Sequence, residues 1–205
     1  MKFKRFIYKL TYTTRKLRQI FYKFFNPLFF RLAGIKFGSN LKVVNRVYLN
    51  IHESSKVEIG DNFTIFSGDN FNPLSRNIRT SIYVADNAKL KIGSNSGISS
   101  ACIWVSENIT IGNYVKIGAN CSIIDTDAHC LDWKIRMTEF DHENAISKPI
   151  VICDNVLIGT GCYILKGVSI GEHSVIGAGS VVSKSIPANC IAAGNPAKVI
   201  KYFEK

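Results

Sequence analysis

The side chains best suited to proton chemistry in this chain fall in one short run, Asp125-Thr126-Asp127-Ala128-His129-Cys130-Leu131-Asp132. An imidazole beside carboxylates fits general-base work near neutral pH, because histidine titrates in that range and a hydroxyl is a poor nucleophile until its proton is removed. Asp125 or Asp127 would orient the ring, the second role of a carboxylate beside a catalytic histidine, and Asp127 is taken as its partner. Read as a metal centre instead, the same run offers Asp127, His129, Cys130 and Asp132. Of the other three histidines, His142 in Glu139-Phe140-Asp141-His142-Glu143 is a candidate for substrate contact. His52 reads as a partly buried structural residue and His173 as solvated surface.

The elements that carry this run are set by a six-residue repeat. An aliphatic residue recurs at Ile152, Ile158, Ile164, Ile170, Ile176 and Val182, with glycine following at Gly159, Gly171 and Gly177. An earlier block, Ile111-Gly112, Ile117-Gly118 and Ile123, keeps the register, and Ile59-Gly60, Ile92-Gly93 and Ile98 show it further upstream. That period fits neither an α-helix nor an alternating strand. It fits a triangular coil of three short strands, each pointing one aliphatic side chain inward, with stacked coils pairing as parallel strands. Glycine is expected where a corner needs an unusual backbone conformation. Cys102, Cys121 and Cys162 fall on the small position four residues after an aliphatic, so they read as compact core residues. The six cysteines form no C-x-x-C pair, and with no export signal apparent the expectation is reduced thiols in the cytoplasm.

The pattern uses 111–128 as one full coil and resumes at Ile152, so His129 opens a non-repeating loop, 129–149, on a rigid scaffold. The net charge of +11 is not spread over the chain: twelve Lys or Arg and no acid precede Glu53, which leaves fourteen bases against fifteen acids in the rest. The basicity is a terminal feature and gives no nucleic-acid signal. Residues 1–34 interleave the bases with aromatic and aliphatic side chains and read as a basic amphipathic helical segment. It either lies on an anionic membrane surface or packs its aromatic face on the rest of the protein. It has no uncharged run of the roughly 20 residues needed to span a bilayer, and no signal-peptide pattern.

The hexads, the stretch Lys148-Pro149-Ile150-Val151-Ile152 and the ending Ala192-Ala193-Gly194-Asn195-Pro196-Ala197-Lys198-Val199-Ile200 resemble the hexapeptide-repeat acyltransferases, in particular the galactoside, maltose and polysaccharide O-acetyltransferases. The resemblance covers about residues 55–203. It implies an all-β, left-handed parallel β-helix over residues 35–205, with the N-terminal helical segment, the excursion loop and a C-terminal tail, 188–205, holding a short helix. It further implies a homotrimer, acetyl-CoA as co-substrate, a sugar or lipid-linked sugar acceptor in surface polysaccharide synthesis, and no metal, because the three-histidine set of the metal-binding hexapeptide-repeat carbonic anhydrases is missing. His129 matches the family's catalytic base, although Cys130 stands where relatives often have proline. Thr160, Ala178, Ser183, Lys184, Lys198 and Lys201 match positions along the CoA groove, with lysine where relatives often have arginine in the last two. Leu157 replaces a tryptophan found in some of the sugar enzymes. Ser99, Ser100, Trp104, Arg136 and His142 are the candidates for the acceptor pocket. N-acylation of an amino sugar, acetylation of a small drug-like alcohol and a non-catalytic β-helix scaffold remain the alternatives. A cytoplasmic protein, peripheral at the inner membrane face through residues 1–34, is the implied location.

Overall fold

The computed structural model describes residues 2–68, 72–75 and 77–204. A long helix, α1 (Lys2–Leu32), leads into a three-sided prism of short strands. Among the described residues the first face holds six parallel strands, the third face six, and the second face eight. In the second face the last pair, Cys190–Gly194 and Ala197–Tyr202, is antiparallel. Neighbouring strands within a face are one coil apart in sequence, in register; Ile109, Thr110 and Ile111, for example, lie opposite Ile150, Val151 and Ile152. This is the left-handed parallel β-helix that the resemblance implies.

The hexad aliphatics build the core as three inward columns. Ile59, Ile92, Ile111, Ile152 and Ile170 line the first face. Ile65, Ile98, Ile117, Ile158 and Ile176 line the second, and Ile82, Ile103, Ile123, Ile164 and Val182 the third. Each full burial of such a side chain is worth roughly 1.5–3 kcal/mol, so the stack supplies most of the driving force for coiling. Cys121 and Cys162 are buried as expected, their thiols donating to the carbonyls of Gly159 and Gly177 on the next coil at 3.0 and 3.1 Å. Cys102 is not. Ile98 and Ile103 are five residues apart, so Ala101 takes the inner small position and Cys102 stands on the outer surface of the third face opposite Ser122.

The hexad glycines serve a different purpose from the one their positions suggest. Gly118 and Gly159 have ordinary backbone angles, but a Cβ on Gly118 would sit 2.7 Å from the Thr160 nitrogen, and one on Gly159 2.6 Å from the Ala178 nitrogen. They are required because the next coil's backbone runs against them. The left-handed corner conformation is carried mainly by asparagine, as at Asn62, Asn95, Asn120 and Asn155, with Gly161 and Gly179 at one edge. Stacked corner side chains bond along the prism, Asn40 to Asn62 and Asn62 to Asn95, each at 3.0 Å.

Among the described residues, the C-terminal tail forms strands where the resemblance implies a short helix. Ala197 and Val199 pack on the core while Lys198 and Ile200 are exposed, a period of two, because the open edge of the second face offers unpaired backbone groups that a strand satisfies and a helix does not. At the other end, α1 is joined to the prism by its last turns: Phe30 is fully buried, and the Asn26 side chain donates to the carbonyls of Val43 and Asn45 at 2.9 Å each. Earlier turns leave Phe3, Phe6, Tyr8, Phe21 and Phe24 exposed. No described helix is long and apolar enough to cross a membrane.

Candidate active site

The excursion leaves the corner between the third and first faces, after the strand Ser122–Ile124 and before the strand Ile150–Ile152. Its base is pinched shut by a bridge between Thr126 and Ser147 and by bonds from Asp127 N to Ile146 O and Lys148 N to Asp125 O. The tip is ordered by a one-turn helix, α2 (Trp133–Arg136), capped by the Asp132 carboxylate accepting from Lys134 N at 2.9 Å. The hexad break therefore projects a braced hairpin, and His129 sits on it beside Ala128, whose φ of 62° turns the chain.

His129 Nδ1 lies 2.6 Å from Asp141 Oδ2, and Asp141 Oδ1 accepts the Cys130 backbone N–H at 2.8 Å. Asp141, twelve residues along the loop, is thus the carboxylate on the imidazole, and the expected Asp127 is not. Asp127 instead forms an ion pair with Lys166 at 3.0 Å in the stalk of the excursion. Asp125 points inward and accepts three backbone N–H bonds, from Ser106 at 2.6 Å and from Glu107 and Asn108 at 2.9 Å each. Burial pushes its carboxyl above the ordinary range, opposed by those bonds, so it closes the corner of the preceding coil. The hydrogen bond with His129 holds the Asp141 carboxyl below its ordinary range. With Nδ1 as the donor to Asp141, His129 Nε2 keeps its lone pair on a ring that is 57 % exposed.

His142 stands 5.0 Å from His129, ring centroid to ring centroid, with Nδ1 bonded to the Ala128 carbonyl at 3.0 Å. The sequence placed His142 on the loop; only folding shows that it shares the site. His129, Asp141 and His142 each bring a ligand atom within 4.8 Å of the others. Both Asp141 oxygens are already bonded, however, and two imidazole nitrogens fall short of the three protein ligands typical of a catalytic zinc.

The acceptor candidates separate. Trp104 lies on the outer third face, opposite Ile124 at the foot of the excursion, edge-on to Tyr83, with a buried Nε1 that has no partner. Arg136 donates to the carbonyls of Cys130 and Leu131 at 2.9 and 3.3 Å and so braces the loop. Ser99 and Ser100 stand at the corner between the second and third faces, and buried Ser100 accepts from Gly68 N. Within one chain they are not brought to His129.

The donor candidates also divide between edges. Thr160 and Ala178 stack at the corner between the second and third faces, where Thr160 donates to Ala119 O at 2.6 Å and Gly179 N to Thr160 O at 2.8 Å. Lys198 and Lys201 lie on the hairpin strand beside it, opposite Ala193 and Ile191. Ser183 and Lys184 follow the last strand of the third face, so they share the edge of the excursion. One other expectation needs adjustment: His52, read as partly buried, is exposed and bonded to Ser54 at 2.8 Å, whereas His173 is exposed as read.

Known proteins agree with this architecture. Residues 149–184 match the bacterial transferase hexapeptide (six repeats) family. A putative acetyltransferase of Schizosaccharomyces pombe is 50% identical over 96 residues, 47% of this chain and 44% of that protein. The galactoside O-acetyltransferase of Escherichia coli is 37% identical over 121 residues, 58% and 57% respectively. Among solved structures, a hexapeptide-repeat acetyltransferase of Vibrio cholerae complexed with acetyl coenzyme A is 26% identical, with a TM-score of 0.53 over 82% of this chain and 70% of that one. Over residues 149–184 the chain carries the repeats of that family, and the proteins it resembles include acetyltransferases, one of them a galactoside O-acetyltransferase. It spans about half the length of the curated relatives it matches.

Proposed function

We propose that the protein transfers an acetyl group from acetyl-CoA to a sugar hydroxyl, with His129 as general base and Asp141 as its positioning residue. The observation that carries this reading is the His129–Asp141 pair on a braced, solvent-facing loop. Its Nε2 takes the hydroxyl proton as the acceptor oxygen bonds to the thioester carbonyl carbon. The resulting intermediate collapses with cleavage of the carbon–sulfur bond, and the imidazolium returns the proton to the departing CoA sulfur. The relative solved with acetyl coenzyme A and the galactoside O-acetyltransferase relative support donor and acceptor class.

His129 and the Thr160–Ala178 corner lie on different edges of one prism, which supports a site completed between subunits of a homotrimer. One subunit's edge with His129, Ser183 and Lys184 faces a neighbour's edge with Thr160, Ala178, Lys198 and Lys201. His142 beside the dyad and Trp104 at the foot of the excursion are the side chains assigned to hold the sugar, one as hydrogen-bonding imidazole and one as stacking surface. The basic, aromatic α1 supports a peripheral position at the inner membrane face and a lipid-linked acceptor of surface polysaccharide synthesis.

His129→Ala should lower kcat by about 10²–10⁴-fold with little change in acetyl-CoA affinity. A panel of free, nucleotide-linked and lipid-linked sugars identifies the acceptor. Turnover within a few-fold of wild type in His129→Ala, on an acceptor the wild type uses, would overturn the assignment of the base.

A further inference from the structure

Helix α1 does not lie flat on the prism. Between its middle turns and the first coils runs a groove of about 540 Å³. Lys16, Ile20 and Lys23 fall on one helical face, at the i, i+4 and i+7 positions, and look across the groove at Leu41, Lys42, Val43 and Phe66. Three lysines therefore converge over an apolar floor, and no carboxylate is among the described residues that line it. Lys42 Nζ lies 5.6 Å from the centre of the Phe66 ring, so that cation rests directly above the floor. The α1 sequence has nine bases and no acid, which leaves the groove within a uniformly positive field.

A wall of ammonium groups beside an aliphatic and aromatic floor matches one kind of ligand: an amphiphile with a phosphate head and a hydrocarbon tail. A nucleotide or free phosphate would use the lysines and waste the floor; a neutral lipid would do the reverse. We infer that this groove is a binding site for the phosphate head and first methylenes of an anionic lipid, with Lys16, Lys23 and Lys42 on the phosphate. The volume lies within the range of ordinary ligand pockets. The exposed aromatics along α1 then stand where the lipid's neighbours in a membrane would meet them. The inference refines the membrane reading of α1 and is separable from it, and it does not depend on the acetyl-transfer chemistry.

The test uses the full chain and a soluble, monomeric probe, dihexanoylphosphatidic acid, titrated calorimetrically against inorganic phosphate and dihexanoylphosphatidylcholine. The acid should bind saturably, and both comparison ligands should bind at least tenfold more weakly. Lys16→Gln/Lys23→Gln/Lys42→Gln should weaken the acid tenfold or more. Lys4→Gln/Arg5→Gln/Lys9→Gln, which removes equal charge from the same helix outside the groove, should change it less than threefold. Equal losses in the two triple variants, phosphate binding as tight as the amphiphile, or no saturable binding would each overturn the site.

Discussion

Replacing Asp141 by asparagine keeps the shape of the His129 site and alters only its charge and donor pattern. The new amide oxygen still accepts from Cys130 N, which puts the amide nitrogen, a donor, in the place of Oδ2, 2.6 Å from His129 Nδ1. A donor facing a donor is repulsive, so the imidazole moves its proton to Nε2 and presents a hydrogen where a base is needed. In a buried triad this tautomer error costs about 10⁴ in kcat. His129 is more than half exposed, so solvent screens the charge and water partly replaces the lost partner, and the expected loss is about 10–10²-fold. Steady-state acetyl transfer, followed by release of the CoA thiol, should show that fall in kcat with the acetyl-CoA KM nearly unchanged. Asp127→Asn is the control: its carboxylate serves Lys166 at the stalk, so kcat should stay within about threefold while stability falls by roughly 0.5–1 kcal/mol. A large loss in Asp127→Asn with wild-type turnover in Asp141→Asn would refute the assignment of the positioning residue.

Three further outcomes follow from the fold. Gly118→Ala forces a Cβ to within 2.7 Å of the Thr160 backbone nitrogen and should cost about 1–3 kcal/mol in thermal unfolding. Gly179→Ala meets no atom within 4 Å and pays only for its φ of 72°, roughly 1 kcal/mol, so the first variant should melt below the second. Asp154 accepts from Asn113 N at 2.8 Å and Asn113 Nδ2 at 3.1 Å, which holds its carboxyl below the ordinary 3.8. A depressed acid stabilises the fold fully above the unfolded value and progressively less as pH falls through 3.8 toward the folded value. Asp154→Asn should therefore flatten the acid limb of the stability profile, and an unchanged limb would count against that bond. Light scattering should find a trimer at micromolar concentration; a stable monomer there would remove the shared donor groove.

The sequence by itself determined the scaffold, because a strict six-residue spacing of Ile and Val has one economical solution: three inward columns on a triangular coil. It also located the excursion, since a break in so regular a pattern has to leave the prism, and with it His129. What it could not decide were contacts between residues that no period relates. Asp141 was invisible as the partner of His129 because the loop returns on itself through α2 and the Thr126–Ser147 bridge, whereas the nearer Asp127 and Asp125 are drawn to Lys166 and to the backbone of the coil below. The one-residue shortening between Ile98 and Ile103 moved Cys102 outward, a change of face that register alone controls. The C-terminal tail formed a strand in place of a helix because the open edge of the second face had backbone groups to pair, a property of the assembled prism and not of the tail's own residues. The lysine groove under α1 likewise exists only because Asn26 and Phe30 fix the helix at a set angle to the first coil, bringing Lys16 and Lys23 opposite Lys42.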